Sequence, residues 1–245
     1  MAHETLARSF EGIGAEYDRF RPGFPDGALH AVLPERVGRV LDLGAGTGKF
    51  TRLLVPWADE VVAVEPSHAM LGVLRDKVAG VVTYQGGAEN IPLADASVDA
   101  VTVAQAFHWF DRDAACAEIA RVLRADGVLG LIWNRSDVGC AWDRACHRLL
   151  HPAVGSQDDT TSSAAAVLPG FAFEQHREIA WTERISRDDY VGRWTTVSSY
   201  LVAPPERRSR LIEAISLVID TDPDTAGRSE FDLPHVTDVF VYRRA

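Results

Sequence analysis

Three glycines at alternate positions in the stretch LDLGAGTGKF, residues 41–50, follow an apolar run interrupted by an acid, and such a turn can bring backbone amides close to a ligand. The spacing narrows the choice of ligand. A phosphate-binding loop requires Gly, four residues and then Gly-Lys-Ser/Thr, so that amides cradle phosphates and the hydroxyl reaches magnesium. Here Gly48-Lys49 is followed by Phe50, and Leu43 stands where the first glycine belongs. The dinucleotide fingerprint G-x-G-x-x-G is met by Gly44 and Gly46, but Lys49 occupies the third glycine position, where close helix-to-strand packing is needed. What remains is Asp42-x-Gly44-x-Gly46-x-Gly48 and then Glu65, 21 positions beyond Gly44 (65 − 44). A carboxylate at that point can accept both ribose hydroxyls of an adenosine. His108, beside Trp109 and Phe110, is a titratable ring that could act as a general base or simply pack. His147 and His151 share a helix face by spacing, but HRLLH lacks the glutamate of the zinc-protease motif and has no evident third ligand, so no metal is expected.

These residues need elements to hold them. From position 37 to 134, β-rich runs (VGRVLDLG, EVVAVEP, VVTYQG, VDAVTVAQA, GVLGLIWN) alternate with helix-length connections. That alternation predicts an α/β doubly wound, Rossmann-like sheet with ligands beyond the carboxyl ends of its strands. Ser67 is placed to cap a helix through Met70, Leu71 and Leu74; Asp111 is placed to cap another through Ile119, Val122 and Leu123 that stops near Gly127. Leu6, Phe10, Ile13, Tyr17 and Phe20 recur at steps of four and three, which predicts one apolar face of an N-terminal helix within residues 1–25. Residues 155–166, GSQDDTTSSAAA, read as a loop, and FEQHREIAWTERIS and TDVFVYRRA read as two late strands separated by helical material. There is no internal repeat, and the whole of 1–245 is expected to form a single domain.

In this order and spacing the motifs resemble the class I S-adenosylmethionine-dependent methyltransferases. The resemblance implies that Asp42, Gly44, Ala45, Gly46 and Gly48 form the turn under the amino-acid part of the cofactor and that Glu65, with Pro66 and Met70, binds its ribose end. GGAENIP at 86–92 is similar to the loop that brackets the adenine, with Ala88 and Glu89 in the usual places, although Gly87 stands where many relatives carry Asp. Gln105 and Ala106 fall at the end of the fourth strand, facing the methyl group, and EIARVLRADGVLGLIW matches the helix and turn into the fifth. YDRFRPGFP, FHWFD and YVGRWTTVSSY are most similar to the branch containing trans-aconitate methyltransferase. The family would complete a seven-stranded sheet with an antiparallel last strand, and a helical insertion at 187–232 would act with the N-terminal helix as a lid. By the same resemblance Tyr17 and Arg21 contact the cofactor carboxylate or an anionic substrate, or pair with an acidic surface. Trp109, Arg193, Trp194, Ser198 and Tyr200 would line an acceptor pocket, Trp194 being equally suited to the core.

The net charge of −10 argues against a wide nucleic-acid footprint, and Gln105-Ala106-Phe107-His108 is unlike the Asn/Asp-Pro-Pro-Tyr turn of base-amine methylating enzymes. With no membrane span or signal peptide, a cytoplasmic protein is expected, and Cys116, Cys140 and Cys146 are expected as buried free thiols. The acceptor is expected to be a small molecule, a carboxylate or phenol, with S-adenosylhomocysteine as the other product. Two rivals follow from the same motifs: an NAD(P)-dependent oxidoreductase, and a module that binds the cofactor without catalysis. Oligomeric state and acceptor identity are not encoded in these motifs.

Overall fold

The computed structural model describes residues 14–150 and 167–245, apart from the side chains of Ala15, Tyr17 and Ser198. Leu6, Phe10 and Ile13 of the expected N-terminal face, and the 155–166 loop, lie outside the described residues. In chain order the elements are α1 (Gly14–Phe20), α2 (Asp26–Val32), β1 (Val37–Leu43), α3 (Thr51–Leu54), β2 (Ala58–Glu65), α4 (His68–Lys77), β3 (Val81–Gln85), β4 (Val98–Ala104), α5 (Arg112–Val122) and β5 (Leu123–Ser136). They continue as α6 (Ala141–Leu150), β6 (Phe171–Ser186), α7 (Arg187–Trp194), α8 (Ser198–Leu201), α9 (Pro205–Thr221) and β7 (Glu230–Arg244).

Seven strands form one sheet in the order β3-β2-β1-β4-β5-β7-β6, mostly parallel with antiparallel strands at the end of the chain. Val40, Leu41, Asp42 and Leu43 at the end of β1 are all buried, as expected of a parallel strand covered on both faces. Leu41, Leu43, Val101 and Val103 pack with Ala115, Cys116, Ile119 and Val122 of α5 on one side of the sheet. Val40, Ala100 and Ile132 pack with Ala28, Leu29 and Val32 of α2 on the other. Because β1 is flanked by β2 on one side and β4 on the other, strand order reverses there, the point beyond whose strand ends sheets of this kind hold their ligands.

Local signals account for most boundaries. Ser67 Oγ accepts from Met70 N–H (3.4 Å) and Asp111 Oδ1 from Ala114 N–H (3.2 Å), capping α4 and α5 as their positions predict. α5 ends at Val122, short of the expected stop near Gly127. The Arg121 and Val122 carbonyls accept from Ala96 and Ser97 N–H, and Leu123 already pairs with Val98. β7 begins at Glu230, earlier than the apolar run from Thr237 suggests, because Phe231 and Leu233 alternate with polar residues and are buried.

The described chain divides into two compact units. One, formed by 23–134, 167–179 and 237–245, contains β1 to β4, α2 to α5 and the first part of β5. The other, formed by 14–22, 135–150 and 180–236, has its own core of Trp142, Cys146, Tyr190, Trp194, Ile215 and Phe231. All three cysteines are free and buried, and burial pushes their thiols up, Cys116 and Cys140 to about 11 and Cys146 to about 12, which leaves them unreactive. No helix among the described residues is long and apolar enough to cross a membrane.

Candidate active site

The glycine turn leaves β1 with Gly44 N–H (2.8 Å) and Ala45 N–H (3.2 Å) both donating to the Val64 carbonyl of β2. Gly44, Gly46 and Gly48 have φ of 70°, 56° and 84°, the left-handed region that glycine enters without steric cost. Their surroundings differ. A Cβ on Gly44 would stand 2.6 Å from the Ala106 side chain, and one on Gly48 would stand 3.0 Å from both Leu74 and Val78. At Gly46 the nearest atom would be Met70 Sδ at 3.9 Å, so the turn is packed at both ends and open in the middle.

Glu65 lies at the edge of that open part. Its Oε2 accepts from Gly46 N–H (2.9 Å) and its Oε1 from Ser67 N–H (2.8 Å), which fixes the carboxylate while leaving each oxygen further acceptor capacity. The residue is 6% exposed. Burial raises its pKa, against the lowering effect of the Ser67 and Gly46 N–H groups, and the neighbouring Asp42 charge adds to the rise. Asp42 lies deeper, at 1% exposure, where Oδ2 accepts from Thr51 Oγ1 (2.6 Å) and Oδ1 from Thr102 Oγ1 (3.0 Å). Burial pushes its pKa up to about 6 despite these two hydroxyls. Asp42 thus ties β1 to β4 and to the start of α3, supporting the turn from behind.

The end of β4 faces the turn. Gln105 has φ 57°, a conformation that costs a non-glycine residue about 1 kcal/mol or more. Its N–H donates to the Ile132 carbonyl (2.8 Å) and its Nε2 to the Asn134 carbonyl (2.9 Å), so β5 holds it there. Ala106 follows, and then a 3₁₀ turn, Phe107–Trp109, in which Phe107 enters the core and the His108 ring lies against Trp109 at 4.7 Å. In the loop after β3, Ala88 is buried, and Glu89 Oε1 accepts from Asp111 N–H (2.9 Å) at the start of α5. Gly86 N–H donates to the Glu65 carbonyl (3.3 Å), and Gln85 Nε2 to the Pro66 carbonyl (3.0 Å), joining this loop to the end of β2. The arrangement brings together Asp42, Gly44, Ala45, Gly46, Gly48, Glu65, Pro66, Met70, Gln105 and Ala106, all within one compact unit.

The remaining predicted residues belong to the helical unit. Arg21 Nη2 donates to the Thr196 carbonyl (2.9 Å). Arg193, 8% exposed, donates from Nε to the Phe20 carbonyl (2.8 Å) and from Nη2 to both oxygens of Glu183 (2.8 Å each). Trp194 is buried against His147 and Tyr190. Arg193 and Trp194 therefore hold this unit together, the plain-core alternative in the case of Trp194. Tyr200 is half-buried beneath Arg208. The side chains of Tyr17 and Ser198 lie outside the described residues, as does His151. His147 Nε2 instead lies 3.7 Å from Asp143 Oδ2. A grouping the sequence did not reveal is His176, Glu178 and Asp238 on β6 and β7, with a 2.9 Å His176–Asp238 hydrogen bond and the His176 ring stacked on Phe240.

Three features fit an adenosine-bearing, amino-acid-bearing cofactor: an anchored carboxylate with spare acceptor capacity, a glycine turn open at Gly46, and a loop tied to that carboxylate. The third glycine of a nicotinamide-dinucleotide turn is missing, Lys49 taking its place. Comparison with known proteins agrees. The model of the methyltransferase domain matches residues 41–131, which spans the glycine turn, Glu65 and the loop at 86–92. An uncharacterized methyltransferase of Mycobacterium tuberculosis is 38% identical over 236 residues, covering 96% of each chain. A malonyl-[acyl-carrier protein] O-methyltransferase of Methylococcus capsulatus is 39% identical over 132 residues, 51% of this chain and 47% of that one. The solved structure of a type II methyltransferase candidate from Anaeromyxobacter dehalogenans superposes with a TM-score of 0.70 at 27% identity, over 92% of this chain and 97% of that one. The chain belongs to the class I S-adenosylmethionine-dependent methyltransferases.

Proposed function

We propose that the protein transfers the methyl group of S-adenosylmethionine to an oxygen of a small-molecule acceptor, a carboxylate or a phenol, by direct displacement. The observation that supports this reading is the Gly46 N–H on the Glu65 carboxylate, which holds an acid with spare acceptor capacity at the edge of a turn left open in its middle. The cofactor supplies an electrophilic sulfonium methyl. Glu65 would accept the ribose hydroxyls, the Gly44 to Gly48 turn would leave room for the amino-acid part, and the loop at 86–92 would hold the adenine. Gln105 and Ala106, fixed by β5, would present the end of β4 to the reacting centre.

The oxygen acceptor is supported by the relative from Methylococcus capsulatus, named as an O-methyltransferase of malonyl-[acyl-carrier protein], and by the absence of a base-amine turn at 105–108. A carboxylate acceptor is already ionised near neutral pH and requires no base. His108 would then orient the turn through its contact with Trp109; for a phenol it is the residue to take the proton. Acceptor recognition is assigned to the half-buried Trp109 that follows β4.

Calorimetric titration with S-adenosylmethionine, S-adenosylhomocysteine, NAD and NADP tests the donor site whatever the acceptor proves to be. Binding of the first pair and silence from the second is expected, followed by an acceptor screen that begins with small carboxylic acids. Binding of a nicotinamide cofactor in their place would overturn the assignment. Binding with turnover only on a nitrogen or carbon acceptor would overturn the oxygen assignment, and binding without turnover on any acceptor would leave a cofactor-binding module.

A further inference from the structure

We infer that Glu118 and Arg121 of α5 are positioning residues that shape the loop at 86–95 for recognition of the cofactor's base. The inference rests on the cofactor reading above and extends it to residues that touch no cofactor. The Arg121 guanidinium has five N–H donors, and five acceptors meet them. Nε donates to Glu118 Oε1 (2.7 Å), and Nη2 to Glu118 Oε2 (2.7 Å) and the Ile91 carbonyl (2.9 Å). Nη1 donates to the Leu93 carbonyl (2.8 Å) and to Asp95 Oδ1 (2.8 Å). Glu118 Oε2 also accepts from Ile91 N–H (2.8 Å), so the peptide groups on both sides of Ile91 are gripped by one ion pair.

The pair differs from an ordinary surface salt bridge in what it holds. An isolated exposed ion pair contributes little, because two long side chains must be ordered against water and salt. Here the planar fork reaches backbone carbonyls of a segment without regular structure, whose peptide groups have no strand or helix to pair with. The opposite end of α5 grips the same loop through Asp111 N–H on Glu89. Ile91 itself is buried among Leu43, Val64 and Ile119. The loop is thus splinted along the length of α5, with Glu89 itself one of the ties and Ala88, the other residue assigned to the adenine, directly before it. Arg121 is held charged by Glu118 and Asp95, and Glu118 is in turn kept ionised chiefly by Arg121.

The test uses the full chain as wild type, Arg121→Ala and Arg121→Lys, with calorimetric affinity for S-adenosylhomocysteine and for S-inosylhomocysteine, in which the base's amino group is replaced by an oxo group. Hydrogen exchange at the Ile91 amide is followed in parallel. Arg121→Ala is expected to weaken S-adenosylhomocysteine binding roughly tenfold, the scale of losing one well-placed hydrogen bond near the ligand, to narrow discrimination between the two bases and to speed Ile91 exchange. Arg121→Lys is expected not to restore either property, since an ammonium offers three donors in place of a planar five. Unchanged discrimination, an equal loss for both ligands, or restoration by lysine would overturn the inference. Should Arg121→Ala fail to fold, Glu118→Gln serves: it keeps the side-chain shape but turns a donor toward Arg121, and the same narrowing is expected. Wild-type protein that binds neither nucleoside would instead overturn the cofactor reading itself, an outcome visible before any variant is made.

Discussion

Two acids, Asp42 and Glu65, do different work although the sequence presents them alike, each at the end of a strand. Glu65 has acceptor capacity to spare, whereas both Asp42 oxygens are engaged by threonines and the residue is enclosed. Glu65→Ala is therefore expected to weaken S-adenosylmethionine binding by about 1.5–3 kcal/mol, the usual scale for hydrogen bonds to a charged group, with calorimetry as the check. Wild-type affinity in that variant would remove the ribose role. For Asp42 the consequence is pH-dependent. Its folded pKa of about 6 lies above the ordinary value of 3.8, so its proton is bound more tightly in the folded state. The stability this contributes is fully present below the ordinary value and is lost as pH rises through about 6. Asp42→Asn lacks that loss, so its stability relative to wild type should improve by about 2 kcal/mol between pH 4 and pH 7, as read by urea unfolding. A constant difference across that range would mean that Asp42 does not titrate there. Glu65 and the glycines were legible because their meaning is local spacing. The Thr102 hydroxyl that engages Asp42 comes from a strand 60 residues on, a pairing that no spacing rule reveals.

At the scale of elements, the strand pattern was readable because parallel strands buried on both faces are nearly continuous apolar runs. The ends of elements were less so. α5 stops at Val122 because residues from before β4 capture its last carbonyls, a tertiary effect that outweighs the Gly127 signal. The positive φ of Gln105 was equally hidden, since glutamine carries no sign of it in the sequence. The glycine turn shows how one motif can hold two kinds of constraint. Gly44→Ala must place a methyl 2.6 Å from the Ala106 side chain as well as strain φ, and is expected to cost about 2–4 kcal/mol of stability. Gly46→Ala meets no close neighbour and should cost only about 1–2 kcal/mol, the left-handed penalty alone. Its methyl would nevertheless enter the space assigned to the cofactor. Urea unfolding of the free proteins together with titration by S-adenosylhomocysteine separates the two: Gly46→Ala should stay folded and lose binding. Equal destabilisation of both, or normal binding by Gly46→Ala, would show that the open side of the turn is not the cofactor's.

At the scale of the whole molecule, the chain combines an α/β unit that holds the glycine turn and Glu65 with a helical unit that has a separate core and a separate electrostatic anchor. The resemblance implied a helical insertion at 187–232 but carried no hint of how its helices are held. Arg193, Glu183, His235 and the Phe20 carbonyl come from a helix, two strands and the end of the N-terminal helix, and only the folded backbone brings them into one network. Glu183 serves both Arg193 and His235 (2.9 Å), and these partners hold its pKa below the ordinary value even though burial opposes them. Arg193→Met would leave that carboxylate with His235 alone and the Phe20 carbonyl without its donor. Breaking a buried pair from one side is expected to cost about 3–5 kcal/mol, more than a surface ion pair supplies. Neutralising the survivor in Arg193→Met with Glu183→Gln should return part of that loss. Because each unit has its own core, the damage should be regional: hydrogen exchange should quicken at amides of α7 and α9 while the Gly44 amide, bonded to Val64, keeps its protection. Equal loss of protection at all these amides would mean that the two cores unfold as one cooperative body. Retained protection at Gly44 would mean that the donor site keeps its shape when the helical unit loosens, so that S-adenosylhomocysteine affinity in Arg193→Met should stay near that of wild type.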